Sequence, residues 1–357
     1  MKKTDLKKYI SDGAISVSEA MKKIDINARQ ILYLVDSENR LLASVSDGDI
    51  RRWILKGGNL DDEVIGAACQ FPIYIDKEDE HRSDEMMRAY QISSIPVVDN
   101  RQRIVDIRFS RKEYNNETCP DILSDVPIIV MAGGKGTRLY PFTKILPKPL
   151  IPIGDEPILE RILKRFYRYG AREIYLTINY KKEMIKSYFA DANPPYIIHY
   201  IEEDEPMGTA GGLRLIDKTF GTPVIITNCD ILIDIDYEKV MSYHKSSNND
   251  MTIVSSLKTT PIPYGVLHTK ENGVITSMEE KPELSFFVNT GMYIVNPEFL
   301  KWIPRNKVFH MTELAQMLME KGNQVGMYPI SESSFLDMGQ FEEMKKMEER
   351  INSGAVK

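Results

Sequence analysis

The chain has little cysteine. Cys69, Cys119 and Cys229 are scattered and odd in number among 357 residues. That excludes a disulfide framework or a zinc-type ligand spacing and points to a reducing, cytoplasmic setting. It also lacks an excess of positive charge: 46 Lys and Arg stand against 52 Asp and Glu. Non-specific nucleic-acid binding needs a basic field, so no nucleic-acid partner is expected. No stretch approaches the roughly 18 consecutive apolar residues of a membrane span. Residues 1–16 begin basic but carry no apolar core of a secretory signal. Histidine is rare, with five residues and no evident Ser–His or Cys–His pairing that would point to nucleophilic catalysis. No repetitive hexapeptide segment follows the last folded element, so no fused β-helix is expected. What remains is an ordinary globular composition, 42% hydrophobic and 27% charged, long enough for two domains.

Glycine is concentrated where it matters. An apolar run from Val126 to Met131 predicts a buried strand, and it breaks into Ala132-Gly133-Gly134-Lys135-Gly136-Thr137-Arg138, with Pro147-Lys148-Pro149 following. Unshielded backbone N–H groups beside fixed cations form a cradle for phosphate. The spacing is not that of a P-loop, which needs G-x-x-x-x-G-K-[ST]. It is not a dinucleotide fingerprint either, because Leu139 stands where the third glycine belongs.

Upstream, residues 1–115 contain a repeat. Ile31 to Asp36 followed by Arg40 returns as Ser94 to Asp99 followed by Arg103. Each copy reads as strand, polar turn, strand, preceded by a helix with apolar spacing: Ala20, Met21 and Ile24 first, then Met86, Met87 and Tyr90. A further helix through Ile50 and Trp53 ends at Gly57-Gly58. Residues 116–126 are polar and turn-rich and read as a linker. From 127 onward, strands at Glu173–Ile178, Ile197–Ile201 and Pro223–Thr227 alternate with helices at Ile158–Tyr169 and Lys182–Phe189. Another helix is expected after Leu213, and one more from Pro297 through Trp302. Later segments read as antiparallel, with Asn272-Gly273 marking a hairpin. Residues His310-Met311-Thr312 read as the cap of a helix closed by Gly322. These features predict an α/β domain, 127–357, with a mixed, mainly parallel sheet whose ligand lies beyond the carboxyl ends of its strands. The acidic run Glu202-Glu203-Asp204-Glu205 reads as a solvated loop, and the methionines as core filler.

Two resemblances follow from these residues. The N-terminal repeat resembles a tandem pair of CBS domains, which implies a small α+β regulatory unit that binds an adenine or related nucleotide. Ser46 and Asp49 in Ser46-Asp47-Gly48-Asp49 match that family's ribose-binding motif. The second copy, Ser110-Arg111-Lys112-Glu113, departs from it. Side-by-side pairing of such modules implies a homo-oligomer, a dimer or higher.

The second resemblance spans about 127–350. Gly-Gly-x-Gly-Thr-Arg-Leu-x-Pro with Pro-Lys-Pro resembles the signature of sugar-1-phosphate nucleotidyltransferases, whose fold is Rossmann-like and GT-A-like. It implies that an NTP and a sugar 1-phosphate give an NDP-sugar and pyrophosphate. By that resemblance Ala132, Gly133, Gly134, Gly136 and Thr137 meet the nucleotide, with Gly208, Thr209 and Gly211 as a second loop. Arg138 and Lys148 act on the phosphates, and Asp230 and Asp337 hold Mg²⁺, although Cys229 replaces the usual glycine before Asp230. Gly265, Glu280, Lys281, Asn289 and Gly291 form the sugar and sugar-phosphate pocket. Gly208-Thr209-Ala210-Gly211 resembles the guanylyl branch. The CBS fusion resembles the GDP-glucosamine-forming enzymes of legionaminic acid synthesis, which implies GTP and glucosamine 1-phosphate or a related hexose. The alternatives left open are UTP, CTP or dTTP as donor, and a silent nucleotide sensor.

Overall fold

A computed structural model of the chain describes residues 5–27, 29–110 and 121–352. The chain divides into two compact units, Met1–Glu117 and Thr118–Lys357.

The first unit contains β1 (Ile10–Asp12), α1 (Val17–Asn27), β2 (Ile31–Val35), β3 (Leu41–Ser46), α2 (Asp47–Leu55), β4 (Ile75–Asp76), α3 (Ser83–Ala89), β5 (Ser94–Val98) and β6 (Ile104–Phe109). It holds two three-stranded sheets of one plan, β1-β2-β3 and β4-β5-β6, each a parallel pair extended by an antiparallel hairpin. The repeated Asp-x-x-x-Arg makes the two hairpin turns. Asp36 Oδ1 accepts from the amides of Glu38 and Arg40 at 2.9 Å, and Asp99 Oδ1 accepts from those of Arg101 and Arg103 at 2.9 and 3.0 Å. Each arginine closes the turn on the other carboxylate oxygen. The Arg103 side chain and amide hold the Asp99 carboxyl down to about 2. The copies meet through Leu41 N–H to Gln102 O at 2.9 Å and Ile104 N–H to Asn39 O at 3.0 Å. Tyr33, Val35, Val98, Ile104 and Ile107 form one core across them. Of the expected helix contacts, Ala20, Met21, Ile24 and Met87 are buried. Tyr90 is not: α3 ends at Ala89 and the Tyr90 ring is exposed. Arg111 to Glu113 of the second motif lie outside the described residues.

The second unit runs β7 (Ile128–Ala132), α4 (Phe142–Ile145), β8 (Pro152–Ile153), β9 (Glu156–Pro157), α5 (Ile158–Arg168), β10 (Glu173–Ile178), α6 (Lys182–Ala192), β11 (Ile197–Glu202), β12 (Val224–Asn228), β13 (Ile231–Ile233), α7 (Tyr237–Ser246), β14 (Met251–Pro261), β15 (Val266–Thr269), β16 (Ile275–Glu279), β17 (Glu283–Val295), α8 (Met311–Glu320), β18 (Val325–Ile330), β19 (Phe335–Asp337) and α9 (Phe341–Asn352). Its main sheet has the order β11-β10-β7-β12-β17-β14-β18. The first four strands are parallel, β17 is antiparallel to both neighbours, and β14 and β18 are parallel. This is the mixed, mainly parallel sheet that the alternating pattern predicted.

Every residue of β7 is buried, as a central strand covered on both faces requires. α5 lays Ile158, Leu159, Ile162, Leu163 and Phe166 into the same core. Two expected helices are only short 3₁₀ turns, Gly211–Leu215 and Pro297–Trp302. After Leu215 the chain meets Gly221 and Pro223 with no apolar period to sustain a helix, and Pro304 stops the second. The last residues read as linker, 121–126, pack onto this unit: Leu123 is buried and its N–H donates to Tyr169 O at 2.9 Å. Among the described residues no helix is long and apolar enough to cross a membrane.

The sheet register fixes where the loops emerge. Ala132 lies beside Ile178, Ile178 beside Glu202, and Met131 beside Asn228. The chain from β7 steps one way to β10 and β11 and the other way to β12. The crevice between β7 and β12 is therefore a topological switch point, where parallel sheets open to ligands.

Candidate active site

The glycine loop leaves β7 at this switch point and forms one wall of a cleft of about 370 Å³. Gly133, Gly134, Gly136, Thr137, Arg138, Lys148, Gly208, Thr209 and Asp230 all line it, so nine residues singled out from sequence meet in one place. Gly136 has a φ of 65°, and a Cβ there would stand 3.0 Å from both Lys148 Cβ and Thr143 Cγ2. The glycine lets the Lys148 stem pass behind the loop. Thr143 Oγ1 donates to Gly136 O at 2.8 Å and holds the turn. Arg138 is exposed on the wall. Ala132 and Gly211 do not line the cleft; both are buried, Ala132 with its methyl in the core.

Lys148 sits between Pro147 and Pro149 at the start of a 3₁₀ turn closed by Leu150 N–H to Pro147 O at 2.9 Å. Its ammonium donates to Asp230 Oδ2, and both side chains are only 13% exposed. Asp230 follows β12, and its backbone oxygen accepts from Met338 N–H at 2.9 Å. The small ribbon of β13 and β19 places Ile231 opposite Asp337, which brings the second aspartate beside the first. Burial, then the charge of Asp230, pushes the Asp337 carboxyl up, while the Gly339 amide, Lys148 and Arg138 pull it partly back. Asp337 Oδ1 accepts from Gly339 N–H at 2.7 Å.

Asp230 and Asp337, neighbouring carboxylates beside Lys148 and Arg138, are a donor set that suits a hard divalent ion. Among the described residues no group of three or more His, Cys, Asp or Glu gathers as a metal cluster. Two carboxylates alone would leave most of such an ion's coordination to substrate oxygens or water. Cys229 beside Asp230 is buried, and burial pushes its thiol up to about 12, so it is no nucleophile near neutral pH.

The acidic run behaves differently from its reading as a solvated loop. Glu202 pairs with Lys182 and Lys186, while Glu203 is only 4% exposed and faces the cleft. Its Oε2 accepts from Met207 N–H at 3.3 Å, and its Oε2 would stand 3.0 Å from a Cβ on Gly133. Burial raises its carboxyl, with the Met207 amide and the Thr177 hydroxyl partly offsetting that rise. Asn228, at the end of β12, also lines the cleft without having been singled out. For Asn228 the available signal was its place as the last residue of a parallel strand, where ligands sit.

The second loop, Met207 to Gly211, is bound to the segment before α8. Phe309 N–H donates to Met207 O at 3.0 Å, and Phe309 O accepts from Ala210 and Gly211 at 2.9 and 3.2 Å. Thr290 and Gly291, following Asn289, form a bulge in β17 just past the end of β12. Asn289 Oδ1 accepts from Gly291 N–H at 2.9 Å, and Gly291 lies against the Asn228 side chain. The expected residues Gly265, Glu280 and Lys281 are not among those lining the cleft. They flank the β15–β16 hairpin, where Glu280 and Lys281 are 74% and 67% exposed and 3.9 Å apart. Ser46 and Asp49 lie in the first unit, where they form the capping box of α2: Asp49 Oδ2 accepts from Ser46 N–H at 2.8 Å and from its hydroxyl at 2.6 Å.

Known proteins resemble part of this chain. A mannose-1-phosphate guanyltransferase of Debaryomyces hansenii is 31% identical over 223 residues, 59% of this chain and 60% of that protein. A UTP–glucose-1-phosphate uridylyltransferase of Synechocystis is 32% identical over 216 residues, 54% of this chain and 55% of that protein. The chain thus spans a little over half the length of these curated relatives. The crystal structure of HddC from Yersinia pseudotuberculosis superposes with a TM-score of 0.51 at 26% identity, covering 63% of this chain and 99% of HddC. The same protein complexed with GMP-PN gives a TM-score of 0.50. The family model for nucleotidyl transferase matches residues 127–354, and with the cleft geometry this establishes that the chain belongs to the nucleotidyl transferase family.

Proposed function

We propose that this protein transfers a guanylyl group from GTP to a hexose or amino-hexose 1-phosphate, giving a GDP-sugar for glycan synthesis and releasing pyrophosphate. An oxygen of the sugar phosphate attacks the α-phosphorus, and the bond from that phosphorus to the pyrophosphate oxygen breaks. The attacking oxygen is already anionic near neutral pH, so the site needs no general base. The barrier is the approach of two anions, and catalysis rests on positioning and cations.

One observation carries the choice of base: the buried carboxylate of Glu203 in the cleft wall. An ionised carboxylate only accepts hydrogen bonds. Guanine presents two adjacent donors, N1–H and the N2 amino group, along one edge. Uracil and thymine offer a single N–H between two carbonyls; adenine and cytosine each put an acceptor nitrogen beside their amino group. Beyond the Met207 amide and the Thr177 hydroxyl that the carboxylate already meets, a base without paired donors leaves its remaining lone pairs unmatched and is disfavoured. The guanyltransferase names among the relatives support the same reading.

In this mechanism the glycine loop gives room to the nucleoside, and Arg138 stabilises the departing phosphates. Lys148 exchanges its bond to Asp230 for the α-phosphate and the sugar phosphate. Asp230 and Asp337 would hold Mg²⁺, which supplies charge neutralisation on phosphate oxygens when bound. Asn289 and Gly291, with Gly265, Glu280 and Lys281 from the hairpin side, take the sugar and its phosphate.

In the first unit, the reading is a CBS pair with one nucleotide site at Ser46 and Asp49 and a role in oligomer formation. Calorimetry with AMP, ATP and GTP tests it. Binding that Asp49→Ala abolishes without loss of folding supports the site; isotherms unchanged by the substitution refute it.

Pyrophosphate release over GTP, UTP, CTP, dTTP and ATP, each with mannose, glucose and glucosamine 1-phosphates, tests the activity. GTP with one of these sugars is the expected productive pair. GTP binding without pyrophosphate release from any pair would instead mark a silent sensor.

A further inference from the structure

We propose that His310 is a positioning residue that latches the cleft loop Met207–Gly211 to the start of α8. The proposal rests on the nucleotide reading of that loop.

Thr209 N–H lies 3.3 Å from His310 Nδ1. A backbone N–H can only donate, so Nδ1 carries its lone pair and the imidazole proton sits on Nε2. The return contact is equally specific: Thr209 Oγ1 accepts from Met311 N–H at 3.0 Å. The first turn of α8 is therefore capped twice: by the local cap at His310 expected from sequence, a capping box with Glu313, and by a threonine hydroxyl from the cleft loop. Glu313 adds a local bond, its Oε2 accepting from His310 N–H at 2.7 Å.

Burial alternates along this segment. Phe309 and Met311 point into the core that also holds Ala210 and Leu213, while the His310 ring remains on the exposed, loop-facing side. Gly208 has a φ of 79°, and a Cβ there would stand 2.6 Å from Phe309 O and 3.0 Å from the imidazole. The loop thus lies flush on the ring. Gly208 and Thr209 line the nucleotide cleft, but His310 is not among the lining residues. The ring therefore acts through the loop: it fixes the peptide that the nucleotide meets.

Loss of one neutral hydrogen bond of this kind predicts a threefold to tenfold weakening, roughly, in whatever the loop binds. The experiment pairs steady-state kinetics with GTP and amide hydrogen exchange at Thr209 in the free protein. His310→Ala is expected to speed exchange at Thr209 and to raise KM for GTP by about threefold to tenfold, with kcat nearly unchanged. Glu313→Ala removes the local helix bond and leaves the imidazole, so it is expected to keep KM at the wild-type value. Unchanged Thr209 exchange in His310→Ala overturns the latch. A rise in KM in Glu313→Ala equal to that in His310→Ala overturns it too, by tracing the effect to the helix start. Exchange needs no nucleotide, so a wild-type protein inactive with GTP would refute the guanylyl reading while leaving the latch decided by exchange alone.

Discussion

The cleft wall and the β15–β16 hairpin outside it differ in how firmly their charged groups are held. On the β7, β11 and β12 side, Lys148 is paired with Asp230, Glu203 is buried, and the Met207–Gly211 loop is hydrogen-bonded to the segment before α8. On the β15–β16 side, Glu280 and Lys281 stand in solvent. Groups that act on the transition state gain from being held before reaction, because no reorganisation is then needed. Groups that recognise a variable substrate can remain open and contribute chiefly to affinity. On the proposed function, this contrast predicts that substitutions in the cleft wall lower the rate and those on the hairpin weaken sugar affinity.

The largest expected effect lies on the assembled side. Lys148→Ala should lower kcat by at least ~10²-fold, the scale of losing one preorganised charge partner. Steady-state pyrophosphate release measures it, and near-wild-type turnover would remove Lys148 from the mechanism. Lys281→Ala should act mainly on affinity, raising KM for the sugar 1-phosphate by about tenfold, the size of one exposed charge-assisted hydrogen bond. If kcat falls in this variant as far as in Lys148→Ala, the division between the two sides collapses.

Much of this was legible in the sequence, and the reasons are local. The glycine loop, Lys148 and Asp230 each have commoner uses alone, as tight connection, solvated loop or turn former, and stand out because they occur together and in order along the chain. The N-terminal repeat is legible because Asp36 and Asp99 lock their turns with residues only two to four positions away. Glu203 was not legible. Its burial depends on the register of β11 beside β10, and nothing within the acidic run separates Glu203 from its neighbour Glu202, which pairs with two lysines at the surface. His310 was hidden for the same reason, since its partner Thr209 is 101 residues away. The exposed setting of Glu280 and Lys281 likewise depends on how the hairpin projects from β14 and β17, which local motifs do not encode.

The smallest effect concerns stability. Burial raises the folded-state carboxyl of Glu203 above its unfolded value. Such a group favours the folded state below the unfolded value, and that contribution is lost as pH rises through the folded value. Glu203→Gln cannot ionise. It should melt above the wild type at neutral to mildly alkaline pH, and the gap should close toward acid pH. Thermal melts across that range check the sign, and a gap that widens toward acid would reverse the assignment.

The same substitution tests base selection most directly. A glutamine amide offers one acceptor and one donor, which suits the uracil edge and leaves one guanine donor facing another N–H. With a fixed sugar 1-phosphate, the ratio of kcat/KM for GTP to that for UTP should favour GTP in the wild type. It should fall by at least ~10-fold in Glu203→Gln, the scale of losing a bidentate base contact. A ratio unchanged by the substitution would contradict the claim that this buried carboxylate reads the base.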